Sequence, residues 1–331
     1  MTGCTYDDDT LDTKGTIRFR VSDEWIQGTR TLANSDNDLQ AKPFCVLGKY
    51  SAGGTYNIPA LQTVFDNQEV SYTDASGWDY NPKKNWEKSS TYRFCAYWPK
   101  TAGVTLSGDM EIGLTMEGYS VAQEYANQAD LLLSNVVQVT TGADPRNDTN
   151  PMVTNGIELN FHHLLCNINF SVKKSIGTQA DIKVTNIRMG NVKNTGTFTQ
   201  STFTNLSTNW NTGTWSNVSG RSNYNSGSIS QDITTDYSTI SNWGGFVAIP
   251  QSIESDEVTL TVEYSSTPQG GTATVRRVDL TLPASTIETA WQMNKRITYK
   301  LEINEDNSIK FGKPTVESWG TAQASGTIII K

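Results

Sequence analysis

Short runs in which apolar and polar residues alternate recur along most of this chain. Near its start, Ile17, Phe19 and Val21 alternate with two arginines. A period of two puts successive side chains on opposite faces, so this run predicts a β-strand with one buried face. The same reasoning, together with compact apolar runs, predicts strands at 44–48, 92–97, 157–161, 168–172, 258–264, 278–282 and 297–303.

The order of these runs predicts an all-β fold. No long helical period and no internal repeat interrupts them. Turn formers at 305–307 separate two alternating runs and predict a hairpin. A polar stretch at 141–148 has turn formers and no periodicity, which favours a domain boundary near residue 155. Two β-sandwiches in tandem are the natural architecture for such a chain.

The predicted organisation has three parts. They are an acidic tether, an N-terminal sandwich and a C-terminal sandwich that carries a long polar insertion. Their ranges are 1–14, 15–155 and 156–331, with the insertion near 195–240. The insertion is rich in Thr, Asn, Ser and Gly, and two readings fit it, a long loop or a set of short edge hairpins.

Composition narrows the class of protein. At 331 residues, the chain is long enough for two domains that each bury a core. A net charge of −8 argues against a nucleic-acid surface. No apolar run reaches the roughly 18 residues that a transmembrane helix needs. Abundant aromatic residues and a charged fraction of 18% are typical of an extracellular β protein.

Four cysteines are spread widely along the chain. Their spacing excludes zinc ribbons and paired redox motifs. Cys45, Cys95 and Cys166 lie in apolar, strand-like runs, where small buried thiols are common. Free core thiols are the favoured reading, and a disulfide between Cys45 and Cys95 is the alternative.

The chain offers little that resembles a catalytic site. The two histidines, His162 and His163, are adjacent in a predicted strand, so they point to opposite faces and cannot chelate one metal together. Motifs of metalloproteases, serine hydrolases, P-loop proteins and calcium loops are missing from the sequence. We therefore expect no catalytic residues, no cofactor and no metal. A glycosidase needs only two suitably spaced carboxylates, and the sequence leaves a glycosidase function open.

Aromatic residues raise a carbohydrate-binding alternative. Tryptophan and tyrosine rings at two places could stack on sugar rings, or they could pack over the edges of the sandwiches. The first group is Trp78, Tyr80 and Trp86, and the second is Trp210 and Trp215. Packing is the favoured role for both groups.

The first residues have the form of a lipoprotein signal that lacks its apolar part. Thr2 and Gly3 precede Cys4, and three consecutive aspartates begin at Asp7. Such a sequence predicts that Cys4 carries acyl chains and that an acidic tether follows it. Met1 is then a substituted or internal start. The predicted location is a bacterial envelope, with the protein anchored to a membrane by its acyl chains. The alternative is a disordered N-terminus that happens to contain a cysteine.

Landmarks along nearly the whole chain resemble the fimbrillin-like proteins of Bacteroidetes, the type V pilus subunits with their Mfa-like and FimA-like relatives. The resemblance rests on the order of these landmarks more than on any one of them. They are Cys4–Asp9, 15–19 with 28–31, 44–50, 78–80, Trp86, 92–99, 130–132, 159–168, 248–251, Trp291, 297–299 and 316–319.

This resemblance implies transthyretin-like sandwiches, no catalysis, and assembly by strand exchange. In polymerising members, an Arg- or Lys-specific protease removes the lipidated first strand, and a strand from another subunit fills the groove that is left. Here the removable strand carries Ile17, Phe19 and Val21, and the candidate cleavage site is Arg30. The candidate donor strand holds Thr327, Ile328, Ile329 and Ile330. The alternatives are an ordinary solvated loop arginine at Arg30 and a tail that folds back as an edge strand on its own domain. The resemblance also implies export as a lipoprotein of the outer membrane that faces the cell surface.

The resemblance leaves the role within a pilus open. Three consecutive isoleucines depart from clean alternation, and Asn294-Lys295 stands where a glycine is expected. Stalk, tip and anchor subunits all fit. The partners implied are other pilus subunits or a second copy of the chain, with a host or bacterial ligand unknown. The competing hypothesis is an outer-membrane carbohydrate-binding lipoprotein of a glycan-uptake system.

Overall fold

A computed structural model of the chain describes residues 15–21, 40–101, 103–200, 206, 213–241, 243–255, 257–286 and 289–319. Within these residues, almost all regular structure is β-strand, so the all-β prediction is confirmed. The helical elements are short. They are one α-helix, α1 (Pro151–Thr154), and the 3-10 turns Ile58–Ala60, Tyr125–Asn127 and Pro145–Asn147.

Eleven strands lie among the described residues before residue 164. They are β1 (Phe19–Val21), β2 (Phe44–Ala52), β3 (Gln62–Thr73), β4 (Gly77–Asp79), β5 (Ser90–Trp98), β6 (Thr105–Asp109), β7 (Gly113–Ser120), β8 (Leu132–Ser134), β9 (Val137–Thr140), β10 (Ile157–Leu159) and β11 (Phe161–His163).

Twelve strands follow in the described residues. They are β12 (Cys166–Lys174), β13 (Asp181–Val192), β14 (Thr195–Gln200), β15 (Thr214–Ser219), β16 (Ser222–Asn225), β17 (Gln231–Ile233), β18 (Ser238–Thr239), β19 (Phe246–Ala248), β20 (Thr259–Thr267), β21 (Thr274–Thr281), β22 (Lys295–Ile303) and β23 (Ile309–Ser318).

A seven-stranded sheet forms the centre of the N-terminal half. Its order is β11-β8-β5-β2-β3-β4, and β9 also pairs with β5. Successive side chains of β2 and β5 point to opposite faces of this sheet, and both faces are buried. Val46 and Phe94 belong to one buried cluster, while Leu47 and Cys95 belong to another. The sheet is therefore covered on both faces, which explains why these strands are apolar throughout rather than at every second residue.

Two five-stranded sheets pack against each other in the C-terminal half. One has the order β18-β12-β22-β23 with β19 beside β12, and the other has the order β16-β13-β20-β21 with β17 beside β13. Tyr224 of the second sheet contacts Phe246 of the first, with ring centroids 5.7 Å apart. The predicted hairpin at 305–307 is confirmed, because β22 and β23 pair antiparallel around it.

A fourth sheet joins strands from both halves of the chain. Its order is β15-β14-β7-β6, so a hairpin from 105–120 pairs with strands from 195–219. β10 pairs with β1, and β11 pairs with β8. Both partner strands come from the N-terminal half. The segment near 195–240 thus contributes five strands to the sheets. The two-domain division at residue 155 stays a prediction.

Candidate strand-binding groove

The segment 15–21 lies between two parts of the chain that are distant in sequence. On one side the amide of Ile17 donates to the carbonyl of Lys84 at 2.8 Å, and the amide of Trp86 donates to the carbonyl of Gly15 at 2.8 Å. On the other side β1 pairs with β10 in parallel, and the amide of Ile157 donates to the carbonyl of Arg18. The segment therefore fills a slot with backbone partners on both walls.

Side chains of this segment alternate as the sequence predicts. Ile17 and Phe19 are buried, Val21 is half-buried, and Arg18 and Arg20 are exposed. The apolar face points into the cluster that covers one face of the seven-stranded sheet. The segment therefore contacts the core mainly through two buried side chains, those of Ile17 and Phe19.

Phe19 lies at the centre of an aromatic groove. Its ring centroid is 5.5 Å from that of Phe65, 5.9 Å from those of Tyr80 and Phe94, and 6.3 Å from that of Phe44. Most of these pairs are edge-to-face, the arrangement that the quadrupoles of aromatic rings favour. Few side chains smaller or more polar than phenylalanine could satisfy all four contacts.

Tyr80 lines the groove with its ring and also forms a hydrogen bond with the backbone of the segment. Its hydroxyl donates to the carbonyl of Ile17 at 2.8 Å. Burial raises the pKa of Tyr80 to about 12, so the hydroxyl stays protonated and remains a donor at neutral pH. Removal of the segment would leave this buried hydroxyl without that acceptor.

Polar contacts hold the outer face of the segment. The guanidinium of Arg18 donates to the carbonyl of Thr154, and Arg20 pairs with Glu158 at 2.5 Å. Both arginines are solvent-exposed, so these contacts contribute little to stability compared with the burial of Ile17 and Phe19.

The approach to β10 depends on a capped helical turn and a glycine. α1 begins at Pro151, and the side chain of Asn150 accepts from the amide of Met152 at 3.0 Å, which caps the turn. The chain then leaves the helix through Gly156, whose φ is +103°. This left-handed backbone conformation favours glycine, and it lets the chain turn from α1 into β10.

The two histidines occupy different environments, as their alternation on β11 predicts. His163 is buried, and its Nδ1 is hydrogen-bonded to the carboxylate of Asp130. His162 is half-buried, and its pKa is lowered to about 4, chiefly by burial and then by the neighbouring His163. Among the described residues, no three His, Cys, Asp or Glu side chains come together as a metal site.

The described cysteines are free and buried. Cys45 and Cys95 are not joined, so the disulfide alternative is wrong and the free-thiol prediction is confirmed. Burial raises the pKa of the Cys95 thiol to about 12, and the thiol lies near the carbonyl of Ser134 at 3.3 Å. These thiols are therefore poor nucleophiles and act as small core residues.

The aromatic residues considered for sugar stacking are built into the protein. Tyr80 and Trp86 are buried, and Trp78 lies half-buried against Phe44, with centroids 4.9 Å apart. Trp215 packs on Phe198 and Tyr119, and its indole N–H donates to the carbonyl of Leu164 at 2.8 Å. Trp210 lies outside the described residues. None of the four described rings presents an open stacking platform.

Several predicted functional residues fall outside the described part of the chain. They are the lipidation candidate Cys4, the cleavage candidate Arg30 and the donor candidates Thr327, Ile328, Ile329 and Ile330. The structure therefore brings together only the first strand and its groove. The sequence did not predict which segments form the walls of that groove. Neither 84–86 nor β10 has a sequence pattern that indicates pairing with β1. None of the helices in the described residues is long and apolar enough to cross a membrane.

Comparison with solved structures identifies the fold. A fimbrial protein from Bacteroides vulgatus ATCC 8482 is 16% identical, with a TM-score of 0.59, over 92% of this chain and 99% of that chain. At this identity the likeness shows the fold alone.

Two cell-adhesion proteins also align along most of their length. The protein from Bacteroides uniformis ATCC 8492 is 13% identical, with a TM-score of 0.45, over 93% of this chain and 99% of that chain. The protein from Bacteroides ovatus ATCC 8483 is 12% identical, with a TM-score of 0.49, over 84% of this chain and 87% of that chain.

The family is shown by the sequence itself. The search of curated proteins found no match. The family model described as fimbrillin-like, however, matches residues 29–319, which is most of the chain. This match confirms the resemblance that the ordered landmarks indicated. The protein with the aromatic groove around Phe19 belongs to the fimbrillin-like family.

Proposed function

We propose that this protein is a non-enzymatic, cell-surface pilus subunit or pilus-associated adhesin that assembles by strand exchange. The observation that carries the proposal is the way the segment 15–21 is held, as a strand seated in a groove of aromatic side chains. Membership of the fimbrillin-like family supports the cell-surface role.

The groove has the physical properties that strand exchange needs. Burial of Ile17 and Phe19 contributes about 1.5–3 kcal/mol each, so an empty groove is a strongly apolar surface. Its two walls would also present unpaired backbone groups at Lys84 and β10. An incoming strand with alternate apolar side chains restores both kinds of contact, and the side-chain pockets set its register.

Release of the first strand requires a cut between it and β2. Arg30 lies in that interval, in a Gly-Thr-Arg-Thr sequence that is typical of an accessible loop. Arg18 and Arg20 are poorer substrates for an Arg-specific protease, because their backbone lies in the strand segment between β10 and 84–86. We therefore propose Arg30 as the cleavage site and 1–30 as the released piece.

The replacing strand is proposed to come from the C-terminal residues Thr327–Ile330 of another subunit. This segment is apolar and β-branched, which suits an extended strand in a buried groove. Before cleavage, Cys4 carries the lipid that anchors the subunit in the outer membrane. The partners are other pilus subunits or further copies of this chain.

Brief digestion of the purified chain with an Arg-specific protease tests this proposal. We expect one early cut after Arg30, found by N-terminal sequencing, and ladders or filaments in negative-stain microscopy. An Arg30→Ala chain should remain intact at this position and monomeric. A chain without residues 326–331 should be cut equally fast yet remain monomeric, because its groove is open and its donor is missing.

Two results would contradict different parts of the proposal, the donor strand and the cleavage site. A cut after Arg30 that releases 1–30 and leaves a soluble monomer overturns the assignment of the C-terminal segment as donor. Resistance at Arg30 with cleavage elsewhere overturns the assignment of the cleavage site, and an anchor subunit then becomes the better interpretation.

A further inference from the structure

Within the described residues, the outer edge of β21 is a second place where a further strand can pair. β21 is the last strand of its sheet and pairs with β20 in an unbroken register from Thr259 opposite Thr281 to Ser266 opposite Thr274. Within the described residues, no strand pairs with its other edge. A regular edge of this kind offers backbone donors and acceptors to another strand.

A comparison with another edge strand makes β21 stand out. β23 also lies at the end of a sheet, but it contains Gly312, Lys313 and Pro314, and its register with β22 shifts near these residues. Proline, lysine and bulges are common devices that prevent pairing at an edge. β21, with the sequence Thr-Val-Arg-Arg-Val-Asp-Leu-Thr, contains none of the three.

The two faces of β21 differ in character. Val278 and Leu280 pack against the main hydrophobic cluster. Val275, Arg277 and Asp279 alternate with them on the outer face, and Val275 is 78% exposed. Arg277 and Asp279 also contact each other on this face at 3.2 Å.

Geometry restricts how two copies of β21 can pair antiparallel. Residues directly opposite each other must point to the same face of the joined sheet. Pairing centred on Val278 puts each Val278 opposite its counterpart, and puts Arg277 of each copy opposite Asp279 of the other. Pairing centred on Arg277 or on Asp279 would instead place like charges opposite each other, which is destabilising.

We propose that β21 is a self-complementary docking edge, at which a second copy of this chain pairs antiparallel in the register centred on Val278. Opposite charges then meet twice, once on each side of the two-fold axis. This association goes beyond strand exchange at the groove of Phe19 and requires neither cleavage nor the C-terminal segment. It would join subunits side by side.

The two charged side chains that set this register already contact neighbours on the strand surface. Asp279 accepts from the hydroxyl of Thr261 at 2.6 Å and from the Nε of Arg277 at 3.2 Å. These hydrogen bonds, that of Thr261 first, hold the pKa of Asp279 below its usual range. The carboxylate is therefore ionised at neutral pH and can pair with a cation opposite it.

One edge of eight residues is a small interface, so the dimer should be weak and sensitive to salt. Sedimentation velocity of the uncleaved chain across a wide concentration range measures it. We expect concentration-dependent dimers, with the dissociation constant raised about tenfold or more by R277D and by D279R. The double variant R277D/D279R should return to within about threefold of wild type, because each new charge again faces its opposite.

Matched controls separate this register from a general effect of charge. K313D on β23 changes the same kind of exposed residue on another edge and should leave the dissociation constant unchanged. Amide hydrogen exchange on the wild-type chain needs no variant, and β21 should gain protection as concentration rises while β23 should not. A wild-type chain that is monomeric at every concentration, or a double variant that fails to recover, overturns the proposal.

Discussion

The imidazole of His163 lies face to face with the indole of Trp319, with ring centroids 4.0 Å apart and planes 10° from parallel. His163 belongs to β11 of the seven-stranded sheet, and Trp319 directly follows β23 of a C-terminal sheet. Asp130 holds the edge of the imidazole through a hydrogen bond with Nδ1. This stack ties the end of the last described strand to the N-terminal half of the chain.

Replacement of Trp319 should test how much this contact contributes. Trp319→Ala removes a buried side chain and should lower the free energy of unfolding by about 3–5 kcal/mol. Trp319→Phe keeps an aromatic ring on His163 and should cost less than about 2 kcal/mol. The indole nitrogen has no hydrogen-bond partner among the described residues, so the change to phenylalanine removes no hydrogen bond within them. Denaturant unfolding measures both, and equal losses would contradict a stacking role.

Phe19 should be the main anchor of the first strand. Phe19→Ala should lower the free energy of unfolding by about 3–5 kcal/mol, because four ring contacts are lost and the groove cannot close. Arg20→Ala, on the exposed face of the same strand, should change it by less than about 1 kcal/mol. If the two variants have similar unfolding midpoints, the burial of Phe19 is not what holds the strand.

His162 should make stability depend on pH. Its pKa is lowered from 6.5 to about 4 in the folded protein, so the unfolded chain binds more protons between these values. Stability contributed by neutral His162 is therefore complete above pH 6.5 and is lost as the pH falls towards 4. With a discount for partial exposure, the loss should be about 1–2 kcal/mol.

A matched variant isolates this effect from the titration of carboxylates. His162→Gln cannot gain the proton, so the wild type should lose stability relative to the variant as the pH falls from 7 to 4.5. Urea unfolding at several pH values measures the difference. A difference that is constant across this range would contradict the half-buried, neutral state of His162.

Gly48 should not tolerate a side chain. A Cβ at this position of β2 would lie 2.9 Å from side-chain atoms of Phe65, Phe94 and Val64. Gly48→Ala should therefore lower the free energy of unfolding by about 1–3 kcal/mol through overpacking. Gly54→Ala is the control, because nothing lies within 4 Å of its Cβ, and its effect should stay within about 0.5 kcal/mol. Thermal unfolding compares the two, and equal midpoints would contradict the close packing.

Local pattern was enough to predict some of the strands and their buried faces. The alternation at 17–21 predicted which side chains of the first strand are buried, and the adjacent histidines predicted one buried and one partly exposed ring. The turn formers at 305–307 predicted the hairpin. These features follow from residue spacing alone, because a strand turns successive side chains to opposite faces whatever its partner is.

The partners of the strands were decided only by the tertiary structure. Nothing in the sequence indicates that β1 pairs in parallel with β10, that β12 pairs in parallel with β22, or that 84–86 forms a wall of the groove. Backbone donors and acceptors are the same at almost every residue, so they do not specify a partner. Packing of the side chains selects it, as the four rings around Phe19 do for the first strand.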